Sequence, residues 1–571
     1  MNLAEKKTIS AEPPDEASQT LDSVLGGAVP LVDLNRNEIL AAYTDLATSL
    51  MARPERLWST FSRLTADLIS IAAGSADFQP EQGDRRFSDP TWEENPLYRR
   101  LRQSYLAWRE AAYGLISQAD GETAWKAPAR QRFALQLLVE ALAPTNTLAG
   151  NPAALKRVFE TGGQSLLHGL RNFIDDLWNN GGMPAQVDKR PFKVGETIAT
   201  TPGAVIYRGD LCEVIQYSPA TKQVRERPLL LVPPQINRFY VMDLAPHRSL
   251  TEYAVGRGMQ FFTISWRNPG PDYRDKGLDD YVAAIEQASA VVREITGSPD
   301  LNLLAVCAGA ITTALATGHL AALGDRRVNS ATLLVTMLDS GESSMSGMFA
   351  TEETVRDACV RSREKGMLDA AAISRLFAWL RPNDLVWNYW VNNYLMGKDP
   401  APFDILYWNA DGTNLPAALH AGFLDLLVRN PLLEPGKVKV LGTPINLRAV
   451  MHDLYVVSGQ TDHICSWRAG HRAAGLFGGK AEFVLNSSGH VQSLVCPPGN
   501  FKARYFTNSH LEATPERWLA SATEHKGSWW DHWLGWLEAR SGELRPAAEK
   551  LGASQFPPLD PAPGTYVHQT P

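Results

Sequence analysis

Cysteine is scarce in this 571-residue chain. Five are present, at positions 212, 307, 359, 465 and 496, too few and too scattered for a disulfide framework. They form no C-x-x-C pair, which excludes zinc ribbons and thioredoxin-like redox sites. Surplus basic charge is lacking too: 55 Lys and Arg stand against 62 Asp and Glu, a net charge of −7. Phosphate backbones select a basic face, so no nucleic-acid partner is expected. The opening residues, MNLAEKKTISAEPPDEASQT, hold no apolar run of the kind a secretory signal carries. Charge is missing from one stretch, Leu301 to Leu323, which is long enough to span a bilayer. Asn302, Thr312, Thr313, Thr317, Gly318 and His319 interrupt it, and Cys307 divides it. It therefore reads as a buried strand followed by a buried helix. The expectation is a cytoplasmic protein with no transmembrane segment. Internal repeats are absent as well.

The composition itself is that of a globular protein, with 44% hydrophobic and 20% charged residues. Residues 1–25 are polar and read as a disordered tail, because they cannot bury enough apolar surface to order themselves. Residues 26–190 carry helical patterning without strand-like alternation, as in Phe133 to Val139, and read as a helical N-terminal domain. The character changes near Val194. A hairpin is expected around Gly209-Asp210. Continuous apolar runs follow at Leu229–Val232, Gln260–Trp266, Leu301–Val306 and Val328–Leu338, alternating with helices at Leu278–Ile295 and Ala308–Leu323. Such strands, buried on both faces, predict a parallel sheet sandwiched between helices. Residues 340–445 break the alternation with aromatic, helix-like segments and read as a cap inserted over the sheet. Strands resume at Leu454–Val457 and Ala481–Leu485. Trp529, Trp530, Trp533 and Trp536 sit near helical spacing and read as the packed face of a last helix. The Pro-rich end, 557–571, reads as irregular.

Cys307 stands where a buried strand turns sharply into a helix. This is the setting of a nucleophile elbow, which lifts its nucleophile above the sheet and needs small residues on either side. Ala305 and Gly309 meet that need, and no G-x-S-x-G competes for the role. Taken alone, Cys307 reads as a small buried hydrophobe. Its partners change that. Asp462 follows the strand Leu454–Val457, and His490 follows the strand Ala481–Leu485. The chain order nucleophile, Asp, His is that of α/β-hydrolases, which gather their triads past strand C-termini. His452, Asp453 and His463 lie nearby. Asp462 is preferred to Asp453, which precedes its strand.

The residues now carry a resemblance. Ala305–Ala310 is similar to the lipase-like box of polyhydroxyalkanoate synthases. Pro233–Tyr240, Phe262–Pro269, Asp404–Asn409, Ser458–Ile464, Ser488–Val491, Gly527–Trp530 and Pro561–Val567 resemble further segments of that family, most of all its class II, single-subunit members. One departure is visible: the family box is usually G-x-C-x-G-G, and its outer glycines are here Ala305 and Ala310.

The resemblance implies an α/β-hydrolase catalytic domain over 191–571, with the cap at about 340–445. It implies polymerisation of (R)-3-hydroxyacyl-CoA, of medium chain length, into polyester with release of CoA. Cys307 would carry the growing chain as a thioester, His490 would act as base, and Asp462 would orient His490 and help activate the incoming 3-hydroxyl. Backbone N–H groups of Ala308 and Ile236 are expected to form the oxyanion hole. Thr336 and Gln492 are candidates for the acyl pocket. The other cysteines are expected to be dispensable for chemistry. No metal or organic cofactor is implied. The expected partners are the acyl-CoA, the growing polyester, the surface of its granule in the cytoplasm, and a second copy in a homodimer. The rivals are an acyl-CoA thioesterase or esterase on the same fold, and an inactive granule-coat protein.

Overall fold

Continuous apolar runs build the centre of a ten-stranded sheet. The computed structural model describes residues 36–81, 83–116, 126–341, 352–462 and 464–570; the expected tail at 1–25, residues 342–351 of the expected cap, and His463 lie outside them. The strands are β1 (Gly203–Arg208), β2 (Cys212–Tyr217), β3 (Leu229–Val232), β4 (Phe261–Trp266), β5 (Leu301–Val306), β6 (Val328–Leu334), β7 (Asp453–Gly459), β8 (Ala481–Asn486), β9 (Arg504–Thr507) and β10 (Thr523–Lys526). Their spatial order is β1-β2-β4-β3-β5-β6-β7-β8-β9-β10. Strands β4 to β8 with β3 pair in parallel. They are the apolar strands that the sequence marks, and helices cover them, as an α/β-hydrolase sheet requires. On one edge β1 and β2 form the expected antiparallel hairpin, β2 pairing antiparallel with β4; on the other, β9 and β10 are antiparallel and depart from the parallel expectation.

Register sets where the site forms. Val232 pairs with Ala305, Val306 with Leu334, Val457 with Leu334, and Gly459 with Asn486. The C-terminal ends of β3, β5, β6, β7 and β8 therefore finish along one edge. One expected strand is shorter than its sequence suggests. Val328–Leu338 reads as a single apolar run, but β6 stops at Leu334. Val335 takes φ +45° and donates its N–H to Val457 O at 2.8 Å, which turns the chain away. Thr336, Met337 and Leu338 stay buried beyond the strand end.

The charge-free stretch 301–323 divides as its polar residues suggest, into β5 and the helix Ala308–Ala322. Asn302, wholly buried, accepts from Ser330 Oγ at 2.7 Å and donates to Ser541 Oγ at 3.1 Å. A buried amide is tolerated when so paired. Among the described residues no helix is long and apolar enough to cross a membrane.

The described residues between 36 and 179 are mainly helical, with α1 (Pro54–Ala73) and α2 (Gln164–Asn179) among their helices. Several start on capping signals: the Asn95 side chain accepts from the N–H of Leu97 and the Asn151 side chain from that of Ala154, each with proline next in sequence. One face of α2 packs on the insertion between β6 and β7. There the Phe173 ring meets Trp390 and Tyr394 edge-on, and Tyr394 OH donates to Asp176 Oδ2 at 2.8 Å. The opposite face carries Leu167, Leu170, Ile174, Leu177 and Trp178, all exposed. The insertion is helical, and Asn383–Trp387 and Trp390–Leu395 wind as π-helix. The last long helix, α3 (Trp529–Glu538), buries all four of its tryptophans. The Nε1 of Trp533 donates to Thr332 Oγ1 and that of Trp529 to Ser493 O, so the expected packing role is the one they have.

Candidate active site

Between β5 and the helix that follows it stands a single residue, Cys307, with φ +51° and ψ −119°. An L-residue held there costs on the order of 1–3 kcal/mol. The conformation persists because the Cys307 N–H donates to Leu334 O at 2.9 Å and its carbonyl accepts from Ala310 N at 2.9 Å. Gly309 is the position that tolerates nothing larger. A Cβ there would strike the carbonyl oxygens of Val232 and Pro233. Ala305 and Ala310, which replace the family glycines, are fully buried and keep their methyl groups. The elbow therefore depends on one glycine, not three.

The Asp and His loops are fitted to each other before they reach the cysteine. Gly459 ends β7 where a side chain would press on Ser488 O and Ser493 Oγ, and Gln460 N donates to Asn486 O at 2.7 Å. Asp462 Oδ1 then accepts the N–H groups of Ile464 (2.8 Å) and Cys465 (2.9 Å). Its Oδ2 accepts from His490 Nδ1 at 2.7 Å. This fixes the ring and leaves Nε2 for the Cys307 thiol, with which His490 is hydrogen-bonded. Asp453 is at the other end of β7, paired with Arg540 at 2.7 Å, and His452 faces the Asp453 carbonyl.

The protonation states follow from these contacts. The Cys307 thiol is held well below its ordinary value, first by a hydrogen bond from the Cys465 thiol; burial opposes this, and His490 and the Ala308 N–H reinforce it. Burial would push the His490 imidazole down, but the Asp462 carboxylate and the Cys307 sulfur overturn that and raise it to about 10. Both directions favour the thiolate–imidazolium form of the pair. Burial raises the other thiols: Cys212 to about 12, Cys496 to about 11, and Cys359 upward. Cys465 goes up too, through its bond to Cys307 and burial.

Cys307 opens on a cavity of about 10 Å³, room for about one water. Ile236, Ala308 and Cys465 line it from the sheet side, and Phe423 and Leu427 from the insertion. Ala308 begins the helix after Cys307 with its N–H toward the sulfur. Ile236 sits on a braced loop: Trp266 Nε1 donates to Pro233 O at 2.9 Å, Gln235 Nε2 to Thr312 Oγ1 at 3.0 Å, and Thr413 Oγ1 to Gln235 O at 2.8 Å. From the loop after β6 the cavity is reached by Met337, the neighbour of Thr336, whose buried hydroxyl has no partner in the structure. Gln492 is half-buried in the short helix His490–Leu494.

Cys465 is the residue that sequence reasoning did not place at the site: it lines the same small cavity as Cys307. Its place three residues past Asp462, in the same loop, was the available signal. Asp462, Cys465 and His490 bring one potential metal-ligand atom each within 4.8 Å. Of these, Asp462 Oδ2 and His490 Nδ1 are already hydrogen-bonded to each other.

Residues 83–254 match the family model described as Poly-beta-hydroxybutyrate polymerase (PhaC) N-terminus, and residues 228–496 match the alpha/beta hydrolase fold. The first of these matches runs from the helical region into the first sheet strands. The chain is 46% identical over 555 residues to "Poly(3-hydroxyalkanoate) polymerase 1" of Ectopseudomonas oleovorans, covering 97% of this chain and 99% of that one. It is 47% identical over 538 residues to "Poly(3-hydroxyalkanoate) polymerase 2" of the same organism, covering 94% and 96%. With the "Poly(3-hydroxyalkanoate) polymerase subunit PhaC" of Cupriavidus necator it shares 38% over 535 residues, covering 92% and 90%.

Proposed function

Because the chain belongs to the poly(3-hydroxyalkanoate) polymerase family, we propose that Cys307, His490 and Asp462 carry its reaction. The protein is an acyltransferase that joins 3-hydroxyacyl units from CoA thioesters into polyester and releases CoA. The observation that supports this triad is the strained elbow cysteine, whose thiol is held low and faces an imidazole already bonded to a carboxylate.

In the proposed acylation, the Cys307 thiolate attacks the thioester carbonyl. The N–H groups of Ala308 and Ile236 receive the developing oxyanion. The C–S bond to CoA breaks, and the leaving thiolate takes the proton from His490 Nε2. Exchange of one thioester for another leaves neither direction strongly uphill. In elongation, His490 Nε2 accepts the proton of an incoming 3-hydroxyl, whose oxygen attacks the Cys307 thioester. The chain gains one unit and Cys307 is freed as thiolate, ready to take the lengthened chain back. Both Asp462 oxygens are engaged, so its help reaches the hydroxyl through His490. The apolar wall of Met337, Phe423 and Leu427 excludes water that would otherwise hydrolyse the acyl-enzyme.

Medium-chain units are the proposed substrates. An apolar wall rewards each added CH₂ by about 0.8 kcal/mol, about fourfold. Incubation with 3-hydroxyacyl-CoA from four to twelve carbons, following CoA and polymer together, is expected to give kcat/KM rising beyond five carbons. A maximum at four carbons with a steep fall beyond five would overturn the chain-length reading. CoA released without polymer would favour a thioesterase.

The helical region, 26–190, is proposed to hold no catalytic side chain and to attach the enzyme to the granule. Its support is the open face of α2, where Leu170 and Leu177 are 55% and 53% exposed, against an apolar polyester product. The double substitution Leu170→Glu with Leu177→Glu is expected to lower co-sedimentation with granules at least tenfold, since burying each leucine is worth about 1.5–3 kcal/mol. Turnover of soluble substrate should be retained. Unchanged co-sedimentation would remove α2 from this role. The homodimer is likewise a proposal, checked by sedimentation velocity of the unmodified protein.

A further inference from the structure

We propose that Cys465 is a second functional thiol of the site, a positioning residue whose S–H donates to the Cys307 sulfur and holds it as an aimed nucleophile. The inference rests on the assignment of Cys307 as the nucleophile and goes beyond it.

Four observations carry it. Cys465 and Cys307 line the same small cavity, and the Cys465 sulfur lies within 4.8 Å of the ligand atoms of Asp462 and His490. Cys465 is also tied to the triad through its backbone, because its N–H donates to Asp462 Oδ1 at 2.9 Å. One loop therefore delivers a carboxylate to the histidine and a thiol to the cysteine. Cys465 is itself 3% exposed, so its proton has few other acceptors. Among the described residues, the Cys307 sulfur has three polar neighbours: His490 from the loop after β8, Cys465 from the loop after β7, and the Ala308 N–H. Asp462 stands behind His490. The rest of the wall, Ile236, Ile311, Met337, Phe423 and Leu427, is uncharged.

The division of labour is physical. His490 must give up its proton to the departing CoA and accept one from each incoming hydroxyl. When elongation frees Cys307 as a thiolate, the proton that His490 has just accepted is destined for the next departing CoA; a sulfur with no other donor would compete for that proton and lose nucleophilicity. A thiol donor, whose own proton is held more firmly for lying beside Cys307, bonds the thiolate while His490 keeps its proton for the leaving group.

The test compares Cys465→Val, close in size but without a donor, with Cys465→Ser, which keeps one. Alkylation of Cys307 by iodoacetamide is followed against pH by mass spectrometry of the Cys307 peptide, on full-length protein. Cys465→Val is expected to move the alkylation midpoint upward by about one pH unit or more, and Cys465→Ser by clearly less. Polymerisation kcat of Cys465→Val should fall about tenfold on the acid side and approach the unmodified value on the alkaline side, with KM little changed. A midpoint unmoved in the valine variant, or an equal loss of kcat at every pH, overturns the proposal; Cys465→Ala, which also lacks a donor, supplies the same readout should valine not fold. Substrate label found on a cysteine other than 307 would instead overturn the nucleophile assignment.

Discussion

Cys307→Ala is expected to abolish polymer formation, with CoA release falling to background. Alanine removes one sulfur from a position whose backbone is held by Leu334 O and Ala310 N, contacts that no side chain makes. The φ of +51° burdens alanine as it burdens cysteine, so the substitution adds no strain. The fold should survive, and circular dichroism with a thermal melt checks that it does. Loss of the sulfur leaves His490 beside Asp462, a pair that remains complete at 2.7 Å. The measurement is CoA release together with polymer mass on medium-chain substrate. A well-folded Cys307→Ala protein that still makes polymer would exclude covalent catalysis by Cys307. In the unmodified enzyme activity should fall at acid pH as the depressed Cys307 thiol regains its proton, and fall again near 10 as His490 loses its own.

The second large effect is at His490. His490→Ala is expected to slow the first acylation by about 10³–10⁴-fold, the scale on which triad bases act. The burial that a carboxylate normally resists is offset here by the imidazolium; without it, Asp462 keeps two backbone N–H donors and a buried charge. Asp462→Ala should behave differently. It leaves His490 in place as a weaker base. A thiol already supported by a neighbouring donor still reacts, whereas a hydroxyl needs a strong base at every unit added. The expected product is Cys307 bearing a single hydroxyacyl unit, visible as a discrete mass increment on the intact protein. Normal elongation by Asp462→Ala, or no acylation at all, would refute this split between the two steps.

Much of this was legible in the sequence, for reasons that can be stated residue by residue. The central strands announce themselves because Leu229–Val232 and Leu301–Val306 are buried on both faces and so are apolar throughout. The elbow is legible because its geometry excludes bulk, and Gly309 is the residue that the backbone of Val232 and Pro233 demands. Asp462 and His490 are legible because parallel strands deliver their following loops to one edge. What escaped had no periodic signature. Strands β9 and β10 are only four residues each, β10 being Thr-Glu-His-Lys, with no apolar face. The end of β6 depends on a single dihedral at Val335, which a run of apolar letters conceals. Cys465 escaped because its role is tertiary: it reads as any buried cysteine until the fold lays it on Cys307. The ion pair of buried Arg238 with Asp411, which helps hold the loop after β3, joins residues far apart in sequence.

With Cys307 carrying the chain as proposed, the small cavity beside it has a consequence for how long the polymer grows. A space of about 10 Å³ admits no acyl unit, so every addition includes an opening of the wall formed by Phe423, Leu427 and Met337, followed by closure. Lids of this kind commonly set turnover. Each opening is a race between an incoming hydroxyl and bulk water for the same thioester. A hydroxyl presented in place acts at an effective concentration that water in free solution cannot match. The average length of the polyester is then a branching ratio: closures completed on a hydroxyl divided by closures completed on water. Loosening the wall by even one side chain should shorten the product before it slows the enzyme.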